Sequence, residues 1–232
     1  MSETMPVPAA RSNAGRTPSQ APSLVASGLW LVAMVLFTVA WMVLGLVNDG
    51  YTLFGTVVED YSPIRQPISG LGLGATATAM NAAFVGYGLT AIAGAVGASR
   101  LIGEIDPGSR LPTLITLGLH GLGSITVGVF TLESMDLHSV GFLLILAPIA
   151  GFVLVGRRLS RIEEVRTAGR ALLWIAAPLS AVLVLVFFIA FDPVAAGEGR
   201  GLAGLAQRAL VLHLQVWIAV LVTLAWRARR TR

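Results

Sequence analysis

Six long apolar runs, separated by polar stretches, set the pattern of this chain. They fall at about 23–47, 76–98, 113–132, 138–156, 171–191 and 208–226. About 20 helical residues, rising 1.5 Å each, cross a hydrocarbon core of roughly 30 Å. Backbone N–H and C=O groups left unpaired in hydrocarbon cost several kcal/mol each, so such runs fold as helices. The pattern predicts an all-α, polytopic membrane protein, a bundle of six transmembrane helices.

The first run is too long for a signal-peptide core, and no A-x-A-like site follows it, so it reads as an uncleaved anchor. Residues 1–22 are rich in Pro, Ser, Ala and Thr and read as a disordered tail, which leaves 23–232 as the bundle. In the second run Ala82, Gly86, Thr90 and Gly94 recur every four residues, a smooth face suited to close helix approach. Pro148 is the one break expected inside a span. The longest connection joins the first two runs. Its segment Tyr51–Val58 is weakly apolar and suited to lying along the membrane interface. Then comes YSPIRQPISGLGLG, Tyr61–Gly74. Pro63 and Pro67 fix their own φ and push the preceding residues towards extended backbone, giving a stiff, non-helical approach to the second helix. Ser69, Gly70, Gly72 and Gly74 keep that approach thin.

Composition sharpens the picture. The chain of 232 residues is 55% hydrophobic and 12% charged, against about 25% charged for a soluble domain. Its mean hydropathy is +0.80. The absence of cysteine removes disulfides, thiolate metal sites and cysteine nucleophiles. All 16 basic residues are arginine, and the net charge is +4. Thirteen arginines lie in the two tails, the second-to-third connector and the fourth-to-fifth loop, and three in the other loops. The positive-inside rule puts the thirteen, and both termini, in the cytoplasm of a multi-pass protein of the cell's inner or plasma membrane. Trp30, Trp174 and Trp226 then fall at cytoplasmic span ends and Trp41 near an outer one, as interfacial indoles do. The loop Arg157–Arg170 (RRLSRIEEVRTAGR) fixes topology, with contact to anionic lipid headgroups as a further capacity. No interleaving of basic and aromatic residues points to nucleic acid, so membrane lipids are the expected partners.

With that orientation Arg65, Ser69, Glu133, Asp136, His138, Asp192, Arg200 and Arg208 gather at the outer end. Ionisable groups in or beside a membrane are costly, and so are candidates for function. Arg65 and Arg208 suit bidentate contact with phosphate or carboxylate. Ser69, Asp136 and His138 complete a candidate ligand set, although Asp136 equally suits a helix N-cap. A catalytic zinc needs three protein ligands and an open position. His138 and His213, with Glu133 or Asp136, are the candidates. His120 lies about 10 Å deeper than His138, and for His120 and His213 a hydrogen bond between helices is the ordinary role. No cofactor is predicted, and zinc is the alternative. Ser69 or Ser62 with His138 as base is a further pairing, but nothing in the linear sequence brings them within hydrogen-bond reach. GLGLG precedes a membrane helix rather than a βαβ crossover, so it is not a phosphate loop.

Four segments carry a resemblance: YSPIRQPISGLGLG, MNAAFVGYGL (Met80–Leu89), ESMDLHSVGF around His138, and GLAGLAQR opening the last span. Together they resemble the bacterial and archaeal "domain of unknown function 998" membrane family over most of the chain after the tail. The resemblance implies a six-helix membrane protein without an assigned reaction. The matching positions are Pro63, Pro67, Ser69, Gly72, Asn81, Gly86, His138 and Arg208, which adds Asn81 to the candidate ligand set. Where the family has an acidic residue directly after the serine, this chain has Gly70.

Three functions are compatible with these features. The first is a protein that binds or handles a lipid or small anionic ligand in an outer-face polar pocket. The second is a metal-dependent membrane hydrolase using His138 and His213. The third is a small-solute transporter, against which stands the lack of an evident internal repeat.

Overall fold

The computed structural model describes residues 21–192 and 200–230. The tail expected over residues 1–22 lies outside the described residues except for Ala21 and Pro22, which belong to the first helix. Six helices are long and apolar enough to cross a membrane, at every position the apolar runs predict. The protein is an all-α, six-span membrane bundle.

Helix α1 covers Ala21–Val47, α2 Ala77–Ile105 and α3 Arg110–Val129. The fourth span is split into α4, Met135–Ile145, and α5, Pro148–Leu159. The fifth comprises α6, Arg166–Ala171, a π-turn at Leu172–Ala176, and α7, Ala177–Ala190. The sixth is α8, Ala203–Arg230. Helix α2 packs against both α1 and α3, while α8 packs against α7 and touches α2.

Both span breaks follow from proline. Pro148 has no N–H to give to the carbonyl four residues back. The chain tightens through it, with Ala147 N–H on Leu144 O and Ile149 N–H on Leu146 O. Ile145 O, robbed of its helical donor, accepts His120 Nδ1–H at 2.7 Å. The second break, at Pro178 beside the π-turn, is one more than expected. There Ala176 O accepts Ser180 Oγ–H at 2.7 Å and His213 Nε2–H at 3.1 Å.

Of the small face expected on α2, only Gly94 is in tight packing. A Cβ on Gly86 meets nothing within 4 Å, and Ala82 is exposed. Beside Gly94, burial falls on Tyr87, Gly88, Ala91, Ala95 and Ala98. A Cβ on Gly88 would sit 2.5 Å from Gly121 O, and one on Gly121 would sit 2.7 Å from Gly88 O, so these two glycines are where α2 and α3 meet backbone to backbone. Gly94 is filled by the indole of Trp30, which is 0% exposed. Trp30 and Trp41 are thus packing residues rather than interfacial anchors, whereas Trp174 is 72% exposed.

The connection between the first two spans is more built than its sequence suggests. Tyr51–Val58 folds back on itself. It forms an antiparallel hairpin of β1, Gly50–Leu53, and β2, Thr56–Glu59, turning at Phe54 and Gly55 with positive φ. Tyr51 and Val58 pair across it and are both buried. Tyr51 packs its ring on Gly70, and burial pushes its phenol up to about 12. After Pro67 the chain winds into two short 3₁₀ turns, Ile68–Gly72 and Gly74–Thr76, that lead into α2.

At the opposite end Arg158 Nε donates to Asp106 Oδ2 at 2.6 Å, joining the second-to-third connector to the end of α5. That bond holds the Asp106 carboxyl below its usual range. A carboxylate with a lowered folded-state pKa stabilises the fold above its unfolded pKa, and the contribution vanishes as pH falls through the folded value. Because the pair is partly solvated, Asp106→Asn is expected to lower stability by less than about 1 kcal/mol at pH 7. Thermal unfolding in detergent should show the difference between the two proteins shrinking as pH falls below the ordinary carboxylate range.

Candidate functional site

The stretch Tyr61–Gly74 is held as one rigid piece. Arg208, buried on α8, is its clamp. Its Nη1 donates to Pro63 O at 2.6 Å, Gln66 O at 3.0 Å and Gly204 O at 3.1 Å, and its Nη2 donates to Tyr61 Oη at 2.6 Å. The guanidinium lies 5.3 Å from the Trp41 ring centroid and 5.9 Å from that of Tyr61. A cation over aromatic faces, with its donors on carbonyls, is stabilised without a carboxylate. Burial raises the Tyr61 pKa against the lowering pull of Arg208, so the phenol stays neutral and donates its O–H to Pro67 O at 3.1 Å. Two backbone bonds, Gly204 N–H on Arg65 O and Leu205 N–H on Ile64 O, add the start of α8 to the same piece.

Asn81 serves this segment too. Its Nδ2 donates to Gly72 O at 3.1 Å, and a Cβ on Gly72 would sit 2.5 Å from Asn81 Oδ1. Close approach therefore requires glycine at 72. Asn48 Nδ2 reaches Thr76 Oγ1 at 2.5 Å, and Thr76 Oγ1 donates to Leu71 O at 2.8 Å. Arg208 and Asn81, named above as ligand candidates, thus direct these hydrogen bonds to the protein's own backbone and, for Arg208, to the Tyr61 phenol as well.

What the clamped segment presents is Ser69. His138, buried on α4, donates from Nδ1 to Phe130 O at 2.7 Å. In a neutral ring that leaves Nε2 as acceptor, and Ser69 Oγ lies 3.1 Å from it. Beside them Gln207, on α8, accepts Ile68 N–H at Oε1 over 2.6 Å. This bond fixes which end of the amide is which and leaves its NH₂ as a donor.

These three residues border two adjoining chambers. The outer one, about 180 Å³, is lined by Ser69, His138 and Gln207 at one side and by Phe142, Phe187, Phe188 and Phe191 at the other. The inner one, about 40 Å³, also reaches Ser69 and Gln207 and extends to Tyr87, His120, Ser124 and Gln215. A water needs about 10–15 Å³ of such space, so the inner chamber has room for a few. Its polar wall is itself ordered. His120 gives Nδ1–H to Ile145 O and accepts from Tyr87 Oη at 2.9 Å, and Ser124 Oγ donates to Phe84 O at 2.9 Å.

The remaining candidates do not join this site. Asp136 is exposed in the first turn of α4, inside the helix rather than at its N-cap, and Glu133 is exposed. His213 bonds Ala176 O at the α7–α8 contact and lines neither chamber. The metal candidates His138, His213 and Glu133 are therefore not brought together, and among the described residues no three metal-ligating side chains of His, Cys, Asp or Glu cluster. Arg65 is half-buried, and its side chain lines neither chamber. Arg157, Arg161, Arg166 and Arg170 are exposed at the far end, and Arg158 there is engaged by Asp106. Sequence reasoning missed Gln207. The only signal for it was its place in GLAGLAQR, immediately before Arg208.

The profile of the family described as "Protein of unknown function (DUF998)" matches residues 31–224, a stretch that contains Ser69, His138 and Gln207. Comparison with curated proteins and with solved structures gave no match.

Proposed function

We propose that this chain, which belongs to the DUF998 family, binds a membrane amphiphile in the outer chamber. The polar group of that amphiphile meets Ser69, His138 and Gln207, and its hydrocarbon lies among Phe142, Phe187, Phe188 and Phe191. One observation carries this reading: the chamber has a polar end and an aromatic end, and its aromatic wall includes residues on the lipid-facing side of the bundle. Leu143 and Phe188, both lining it, are 58% and 51% exposed. Ligand sites are mostly apolar with a few convergent polar groups, and this chamber has that make-up.

The polar end sets the class of ligand. Arg208 is committed to the backbone, and neither it nor Arg65 lines the chamber. The polar side chains that do line it are the hydroxyls of Ser69 and Ser139, the neutral imidazole of His138 and the amide of Gln207. They suit a neutral hydrogen-bonding head such as an ester, hydroxyl or amide, rather than the anionic group that two arginine anchors would have favoured.

A photoreactive diazirine acyl ester, irradiated with the purified protein in nanodiscs, tests the reading. Cross-links are expected on α4 and α7 peptides that carry Phe142 or Phe187–Phe191. Phe187→Trp, which fills the chamber, is expected to cut that yield about tenfold, as a loss of about 1.4 kcal/mol in binding would. Labelling that is uniform over all lipid-facing helices, and insensitive to Phe187→Trp, would sink the proposal.

A further inference from the structure

We infer that Ser69 is a nucleophile, activated by His138, and that the site transfers or hydrolyses the acyl group of a lipid ester. The substrate class rests on the pocket reading above, whereas the nucleophile rests on its own geometry.

A serine hydroxyl becomes a nucleophile when a base stands within hydrogen-bond reach and a third group orients that base. All three parts are present. Ser69 Oγ is 3.1 Å from His138 Nε2, and Phe130 O holds His138 Nδ1–H at 2.7 Å. The carbonyl fixes the tautomer in which Nε2 carries the lone pair. Other buried serines of this protein behave differently. Ser27, Ser99, Ser124 and Ser180 each donate to a backbone carbonyl. Ser69 instead points at an imidazole, on a 3₁₀ turn, where it borders both chambers.

The arrangement also contains a donor for developing negative charge. Gln207 is locked through Oε1 onto the N–H of Ile68, the residue before Ser69, and lines both chambers with Ser69, so its NH₂ remains as a donor within the site. Side-chain amides serve as oxyanion donors in acyl transfer. The inner chamber, which shares Ser69 and Gln207 with the outer, has room for water behind the serine.

The steps balance without a further reagent. Ser69 Oγ bonds to the ester carbonyl carbon as its proton passes to His138 Nε2. The tetrahedral intermediate, its oxyanion facing the Gln207 amide, collapses with loss of the alcohol, which leaves with the proton from Nε2. Water then attacks the acyl-serine, giving one proton to Nε2. Cleavage returns that proton to Ser69 Oγ and frees the fatty acid. A second alcohol in place of water gives transfer instead of hydrolysis.

The test is covalent labelling of the purified full chain, in nanodiscs, with a long-chain alkyl fluorophosphonate, read by intact mass and peptide mapping. One adduct per chain, mapped to Ser69, is expected. His138→Gln is expected to slow adduct formation by about 100-fold or more, in the range lost with a general base. Ser69→Ala should abolish it, with thermal unfolding confirming that both variants fold. Should Ser69→Ala fail to fold, the adduct position in the wild type and the rate in His138→Gln decide the matter. An unlabelled wild type that still cross-links the acyl ester overturns the nucleophile and leaves the pocket standing. An adduct on Ser69 without selective cross-linking supports the nucleophile and removes the lipid chamber. An adduct elsewhere, or equal rates in wild type and His138→Gln, overturns the inference.

Discussion

Arg208→Ala is expected to destabilise the protein by about 4 kcal/mol, since each buried carbonyl left without a donor costs about 1–3 kcal/mol. The carbonyls of Pro63 and Gln66 lose their guanidinium donor, and Tyr61 Oη loses the donor it accepts from while keeping its own bond to Pro67 O. The rings of Trp41 and Tyr61 also lose the cation they pack against. Arg208→Lys should recover only part of the loss, because one ammonium cannot span both the carbonyls and the phenol as a planar fork does. Equilibrium unfolding in mixed micelles measures both variants. The same experiment separates a clamp from a ligand anchor, because an anchor's removal would leave stability close to that of the wild type.

The second large effect is predicted for Gly88→Leu. A side chain there meets Gly121 O, Ile125 Cγ1 and Ile125 N within 3 Å, and two of these are backbone atoms that cannot swing aside. Overpacking of a tight interior typically costs about 1–3 kcal/mol. A leucine driven between two touching backbones should reach or exceed the top of that range, seen as loss of the monodisperse peak in size-exclusion chromatography. Gly86→Leu, two residues away but open to its surroundings, is the matched control, with a change within about 0.5 kcal/mol. A reversed order of the two variants would restore the four-residue face read from the sequence.

That face shows where sequence reading stopped. The spans were legible because a bilayer demands long apolar runs that pair their own backbone, and all six were found. Which side of α2 packs was not, since Gly86 and Gly88 are the same residue type and only the neighbouring helix distinguishes them. The gathering of polar residues at one end was also legible, and Ser69 and His138 stood among them. Their direct contact was not, because 69 positions separate them and it depends on the turn after Pro67. The arginines misled for a related reason. Arginine at a span end predicts a polar appointment, but sequence cannot say whether a ligand or the chain's own backbone keeps it. Gln207 was overlooked because a glutamine at a helix start has many ordinary uses. Pro178 hid in the most apolar run, where the missing N–H matters only beside the π-turn.

The order in which the ribosome releases these parts has its own consequence. Ser69 and His138 emerge early, but Gln207 and Arg208 arrive on the final helix. Synthesis proceeds from the N-terminus, so the proline-rich stretch has no latch until that helix inserts. A half-made chain would hold the serine and the imidazole without the brace that aims one at the other. On the acyl-transfer reading proposed above, competence waits for the helix that carries Gln207 and Arg208, and a chain lacking it is inert towards the lipids around it.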